Sequence, residues 1–334
     1  LTCHHRHQLS PALGLLGARV QLLPHQFYIA DEVSSRYAPR VLLADEVGLG
    51  KTIEAGLILH RQWLTGRVAR ALVVVPDNLV HQWLVEMLRR FNLRFSIMDE
   101  DICDELAGSG EGNPFESAQL VLTSLRFLVE SPERLEQAAA AGWDLMIVDE
   151  AHHLAWTPQA ASPEYQAVAT LAARVPALLL LTATPEQLGV EGHFARLRLL
   201  DPHRYDSLEK YLEEERHYEA VSDLVRRLRE GQGAEAVTDA DHAEIERYLG
   251  AESAAAFRRD GAVDAQRAVS RIVRELLDHH GTGRVLFRNC RDNISGFPER
   301  HLNLHPLALP DLYRERAASA QLAAQLVPEQ GLGD

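Results

Sequence analysis

Short apolar runs alternate with longer amphipathic stretches between residues 41 and 200, and this alternation constrains the fold more than any other feature of the chain. Several of the runs are apolar throughout, which is typical of strands that are covered by helices on both faces. The pattern therefore predicts an α/β fold, in which βα units build a mostly parallel sheet flanked by helices. We expect strands at residues 41–44, 71–75, 93–98, 120–123, 145–149 and 177–182, and helices at 53–65 and 78–90.

The pattern changes at about residue 201. Residues 201–283 are rich in charged residues and alanine at helical spacing, which predicts a helical insertion. Its simplest role would be a scaffold that covers one flank of the sheet. A β-like run near 284–288 is expected to return to the sheet. The resulting division is a tail or linker (1–22), a sheet lobe (23–200), the insertion (201–283), a return to the lobe (284–305) and a second linker (306–334).

Composition argues against several classes of protein. The 334 residues carry a formal charge of −14, whereas a general nucleic-acid coat protein needs a local excess of Lys and Arg; a basic groove on an acidic body stays possible. The three cysteines are far apart and the histidines at positions 4, 5 and 7 are interpreted as a solvated tail, so neither a disulfide framework nor a metal site is expected from them. No apolar run is long enough to span a bilayer, so we expect a cytoplasmic protein with no membrane partner.

The strongest local motif is the segment Asp45-Glu46-Val47-Gly48-Leu49-Gly50-Lys51-Thr52, between a predicted strand and a predicted helix. A glycine-rich turn at a helix N-terminus lets backbone N–H groups surround phosphate oxygens. The pattern predicts that Lys51 binds the β and γ phosphates of a nucleotide and that the Thr52 hydroxyl binds magnesium. Asp45 stands where the general pattern has glycine. The alternative is a glycine turn that binds nothing.

A second motif, Asp149-Glu150-Ala151-His152, follows a predicted strand. Asp149 is expected to hold magnesium, and Glu150 to orient the attacking water and accept its proton. The alternative is a solvated acidic turn. Thr182 and Thr184 leave the next predicted strand and are interpreted either as ordinary strand residues or as side chains that couple the nucleotide site to movement.

Taken in order, Gln26 and residues 48–52, 149–152 and 182–184 resemble the first-lobe motifs of the Swi/Snf-type remodelling ATPases, which are DExH-box helicase-like proteins. Residues 42–56, 81–87 and 149–154 are similar to the bacterial RNA-polymerase-associated branch of that family. The similarity extends from about residue 17 to residue 298. It implies a RecA-like P-loop lobe with ATP and Mg²⁺ as cofactors.

The same resemblance implies roles for further residues. Gln26 would bind adenine, and His152, with Lys51, Asp149 and Glu150, would belong to the catalytic set. The nucleotide would also contact Asp45, Gly48, Leu49, Gly50 and Thr52. Contacts with nucleic acid are expected at Pro76, Gln82, Thr123 and Ser124, while Trp83 is interpreted as either a core residue or a contact.

The whole protein is then expected to be a monomeric, DNA-dependent ATPase of the bacterial nucleoid. It would remodel RNA polymerase complexes on double-stranded DNA, bind the polymerase core and promote its recycling. No second lobe with its arginine motif follows in the sequence, and the polymerase-binding N-terminal region is missing or short, so this chain alone is expected to bind ATP but hydrolyse it poorly. Two alternatives are a nucleotide-gated interaction module without motor activity and a translocase of a restriction system.

Overall fold

The computed structural model describes residues 13–21, 23–108, 112–183, 189–230, 238–261, 265–280 and 285–289. All of them belong to one compact unit, Leu1–Ser295. The predicted linker at 306–334 and most of the predicted return at 284–305 lie outside the described residues.

A single parallel sheet organises the described part of the chain. Its strands are β2 (Arg40–Leu43), β3 (Ala71–Val75), β4 (Ser96–Met98), β5 (Leu120–Ser124), β6 (Leu145–Val148), β7 (Ala177–Leu181) and β8 (Leu286–Phe287). Their order is β4-β5-β3-β6-β7-β2-β8, and each neighbouring pair is parallel. Strand β1 (Leu13–Ala18) lies outside this sheet. The prediction of a mostly parallel sheet is confirmed.

Helices cover both faces of the sheet. They are α1 (Pro24–Ser35), α2 (Lys51–Leu64), α3 (Val80–Phe91), α4 (Glu100–Gly108), α5 (Leu125–Glu130), α6 (Pro132–Ala140), α7 (Pro163–Ala172) and α8 (Gly189–Leu200). Successive residues of a strand belong to different hydrophobic clusters, one on each face of the sheet, as Leu42 and Leu43 of β2 do. Because side chains alternate across a strand, two buried faces require the continuous apolar runs seen in the sequence.

Three longer helices follow the sheet lobe in the described residues: α9 (Leu208–Glu230), α10 (Asp239–Gly261) and α11 (Ala265–His280). They share a separate hydrophobic cluster that includes Leu224, Ile245, Phe257 and Ile272. The chain then returns to the sheet, where β8 pairs with β2. The helical insertion is therefore present as expected. Across the described residues, no helix combines the length and the apolar character that crossing a membrane requires.

Two local predictions differ from the structure. The strand expected at 93–98 is reduced to β4, because Asn92 takes a left-handed conformation (φ 55°) that ends α3, and Leu93 and Phe95 fill the core from an irregular segment. The segment expected to be a tail contains β1, whose Gly14 carbonyl accepts a 2.7 Å hydrogen bond from His60 Nδ1 on α2. Leu15 of β1 is buried, so this segment is packed against the lobe.

Candidate active site

The predicted motifs meet at one edge of the sheet. Strands β6, β7 and β2 are neighbours and run parallel, so their carboxyl ends lie side by side. The glycine loop follows β2, the acidic motif follows β6 and Thr182 follows β7. In open α/β sheets this edge is where ligands bind.

The glycine loop has the backbone geometry of a phosphate site. Gly48 and Gly50 have φ of 85° and 95°, in the left-handed region that favours glycine, and α2 begins at the next residue, Lys51. Among the described residues, no group accepts a hydrogen bond from the backbone N–H of Gly48, Gly50, Lys51 or Thr52. A row of unpaired N–H groups at a helix N-terminus attracts anionic oxygens.

Lys51 joins the two ends of this loop. Its Nζ donates a 2.7 Å hydrogen bond to the backbone carbonyl of Asp45. Burial lowers the pKa of Lys51, while the negative charges of Glu150, Glu54, Asp149 and Asp45 act in the opposite direction. The ammonium group therefore lies in the electrostatic field of the acidic motif.

Asp149 is held by two donors. Trp83 Nε1 donates to Asp149 Oδ2 at 2.7 Å, and the backbone N–H of Glu150 donates to Oδ1 at 2.8 Å. The carboxylate is almost fully buried, and burial raises its pKa, whereas these two hydrogen bonds lower it. The hydroxyl of Thr52 accepts or donates no hydrogen bond among the described residues. Carboxylate and hydroxyl oxygens are the ligands that Mg²⁺ prefers, so Thr52 and Asp149 fit such an ion chemically.

Glu150 has an unusual backbone conformation. Its φ of 51° places a non-glycine residue in the left-handed region, which costs about 1 kcal/mol or more and is common at functional sites. Its Oε2 lies 3.0 Å from His152 Nδ1. Burial lowers the pKa of His152, and the neighbouring His153 lowers it further. The charge of Glu150 acts in the opposite direction on this pKa. Neither Glu150 Oε2 nor His152 Nδ1 has a hydrogen-bond partner in the described part of the chain, so the two side chains are adjacent without being hydrogen-bonded.

Gln26 and Asp45 are both occupied within the protein. Gln26 Nε2 donates to the Leu49 carbonyl at 2.8 Å from a buried position, which leaves its side-chain oxygen for another partner. The buried carboxylate of Asp45 accepts hydrogen bonds from Asn289. Because the Asp45 side chain is committed to Asn289, any contact of Asp45 with a nucleotide is left to its backbone.

The residues predicted to contact nucleic acid differ in their exposure to solvent. Gln82 is exposed and Pro76 is partly exposed. Thr123 is fully buried between β4 and β3, and its hydroxyl donates to the Met98 carbonyl at 2.8 Å, so this side chain is occupied within the sheet. The Ser124 hydroxyl caps α5 by accepting from the Phe127 N–H. Of the proposed coupling residues, Thr182 is fully buried and Thr184 lies outside the described residues.

Three residues of the site were not assigned to it from the sequence. Trp83 binds Asp149, Asn289 binds Asp45, and Glu54 lies on the first turn of α2. Burial raises the pKa of Glu54 well above its usual range, and the negative charge of Asp45 raises it further. The signal for Asn289 was its position just after a strand, which matches the position of the other site residues.

Comparison with known proteins identifies the family of the chain. The SNF2-related domain matches residues 32–237. The chain is 51% identical over 99% of its length to the RNA polymerase-associated protein RapA of Photobacterium profundum, and 53% identical over 98% of its length to proteins of the same name from two strains of Pseudomonas putida. The chain spans 34% of each of these relatives, or about a third of their length.

A solved structure shows the same fold. The Sulfolobus solfataricus SWI2/SNF2 ATPase core in complex with double-stranded DNA matches 85% of this chain and 47% of its own, with a TM-score of 0.52 and 18% sequence identity. At this identity the likeness concerns the fold alone.

Proposed function

Because the chain belongs to the SNF2-related domain family, we propose that it is the ATP-binding first lobe of a nucleic-acid-dependent ATPase that remodels RNA polymerase complexes. The strongest support is the convergence of Lys51, Asp149 and Glu150 on one sheet edge, where both carboxylates act electrostatically on the lysine. The relatives are named as RNA polymerase-associated proteins, and this supports the choice of partner. Double-stranded DNA is the proposed track, and the bacterial nucleoid the proposed location.

Each residue of the site has a proposed task. The backbone N–H groups of Gly48, Gly50, Lys51 and Thr52 bind phosphate oxygens, and the Lys51 ammonium neutralises the terminal phosphates. Thr52 and Asp149 would hold Mg²⁺, which supplies further charge neutralisation when bound. Glu150 accepts the proton of the attacking water, and His152 orients the Glu150 carboxylate. The free oxygen of Gln26 is proposed to read the adenine edge.

Complete turnover is proposed to need a second lobe in the remaining two thirds of the relatives' length. An arginine finger supplied from such a lobe contributes about 10³- to 10⁵-fold in rate. We therefore expect the present chain to bind ATP and hydrolyse it slowly.

The experiment measures ATP hydrolysis by the full-length protein with and without double-stranded DNA or RNA polymerase. Lys51→Ala should abolish nucleotide binding, and Glu150→Gln should retain binding but lower turnover at least about 100-fold. Lys210→Ala is a matched control, because Lys210 is an exposed lysine on α9. Unchanged turnover in either site variant would contradict the proposal.

The nucleotide-gated interaction module is the second candidate, because α9 to α11 form their own hydrophobic core away from the sheet. It predicts polymerase binding that depends on ATP, without hydrolysis stimulated by DNA. Stimulated hydrolysis that is lost in Glu150→Gln would exclude it.

A further inference from the structure

Trp83 makes a contact that its place in the hydrophobic core does not require. The side chain lies on α3, is 1% exposed and packs with Met87 and Phe91 in the same core cluster. Apolar packing alone makes no use of the indole N–H. The indole N–H instead points at a carboxylate and donates a 2.7 Å hydrogen bond to Asp149 Oδ2.

This hydrogen bond acts on a carboxylate that is costly to bury. A buried charge needs donors that replace the water it has lost. Asp149 receives one donor from the neighbouring backbone N–H of Glu150, which comes from its own loop. Trp83 supplies the other donor from a different element, so the carboxylate is fixed relative to α3 as well as to β6. Burial raises the pKa of Asp149, and the Trp83 hydrogen bond is the largest influence that lowers it.

We propose that Trp83 is a positioning residue for Asp149, whose indole N–H orients the carboxylate for magnesium and makes helix α3 part of the ATP site. The inference rests on the proposed function, because it assumes that Asp149 serves a bound metal and nucleotide. Trp83 acts through Asp149 and is not expected to touch the nucleotide itself.

Trp83→Phe tests the inference, because it keeps an aromatic ring in the core and removes the indole N–H together with part of the ring volume. Trp143→Phe is the matched control. Trp143 is also buried, and its indole N–H also donates a 2.8 Å hydrogen bond, but to the Ala138 carbonyl, outside the site. Binding of a fluorescent ATP analogue to the 334-residue chain is titrated in EDTA and then at increasing magnesium concentrations.

In EDTA, we expect the same nucleotide affinity for wild type and both variants. Magnesium should increase the nucleotide affinity of all three proteins. The magnesium concentration that gives half of this increase should be about tenfold higher for Trp83→Phe than for wild type or Trp143→Phe, since a hydrogen bond to a charged group is worth roughly that factor. Equal magnesium dependence in the two variants would overturn the inference and leave the proposed function intact. If wild type bound the nucleotide no better than Lys51→Ala does, the proposed function would be contradicted, and the inference with it.

A second measurement avoids dependence on the folding of Trp83→Phe. Indole N–H signals of ¹⁵N-labelled wild-type chain are assigned by replacing Trp63, Trp143 and Trp156 one at a time. The Trp83 signal should shift when magnesium is added to the nucleotide-bound chain, whereas the Trp143 signal should not. A Trp83 signal that does not respond to magnesium would overturn the inference.

Discussion

The carboxylate of Asp45 accepts hydrogen bonds from both the backbone and the side-chain amide of Asn289, at 2.8 and 3.1 Å, across 244 residues of sequence. Asp45 begins the glycine loop, and its own carbonyl accepts the hydrogen bond of Lys51. The loop is therefore fixed from outside by the segment that follows β8.

Asn289→Ala removes the side-chain donor of this support and keeps the backbone N–H of residue 289. Hydrogen bonds to a charged group contribute about 1.5–3 kcal/mol, and a buried carboxylate that loses one of its donors also becomes more costly. We expect the free energy of unfolding, measured in urea, to fall by about 2 kcal/mol, and the nucleotide affinity to fall as well. Asn78→Ala, at an exposed asparagine, is the control. A melting curve and a binding isotherm identical to those of the control would show that Asn289 does not support the loop.

Gly50→Ala should disrupt the loop by two separable effects. A Cβ at Gly50 would overlap the side-chain amide of Gln26, and φ of 95° is strained for alanine. Gly66→Ala provides the control for strain alone, because Gly66 has φ of 71° and open space around its Cβ position. We expect the control to lose about 1 kcal/mol of stability and keep nucleotide binding, whereas Gly50→Ala loses binding at least about tenfold. Equal behaviour of the two variants would exclude the steric effect.

Glu54 predicts a pH dependence of stability. Its pKa in the folded chain lies well above the ordinary 4.5, so between 4.5 and the raised value the folded state binds more protons than the unfolded state. Stability from this residue is therefore fully present below about pH 4.5 and is lost as pH rises through the folded pKa. Glu54→Gln should reduce the slope of the free energy of unfolding against pH, by at most about 1.4 kcal/mol per pH unit.

Chemical denaturation at several pH values measures the effect of Glu54. Glu105→Gln, at an exposed carboxyl on α4, is the control and should keep the wild-type slope. A Glu54→Gln variant with that same slope would mean that Glu54 does not carry the extra proton.

Arg40→Lys should destabilise the lobe. The guanidinium of Arg40 donates to the carbonyls of Ala172 and Val175 at and after the end of α7, and to those of Leu199 and Leu200 at the end of α8. An ammonium group cannot reproduce a planar fork of donors, so helix-terminal carbonyls would lose their partners. We expect a loss of about 2 kcal/mol in a urea titration. Arg126→Lys, at an exposed ion pair with Glu130, should change stability by less than about 0.5 kcal/mol.

The sequence was most informative about the phosphate loop and the acidic motif, because few structural roles require those residue types in that order. The glycines before Lys51 and the acids after β6 each follow a strand that was predicted correctly, and parallel strands bring their carboxyl ends to the same edge. The hydrogen bond from Thr123 to Met98 was not predicted, because a hydroxyl at a strand exit gives no sign that β4 pairs beside it. The bond of Trp83 depends on β3 and β6 being neighbours, which local periodicity does not encode.

The link between the glycine loop and residue 289 also has a consequence for synthesis on the ribosome. Contacts between distant parts of a chain form only after both parts have been made. A nascent chain that has released β2 to β7 can build most of the sheet, yet Asp45 must wait for Asn289 to emerge. We therefore expect truncated translation intermediates to bind ATP tightly only once the last sheet strand has joined them.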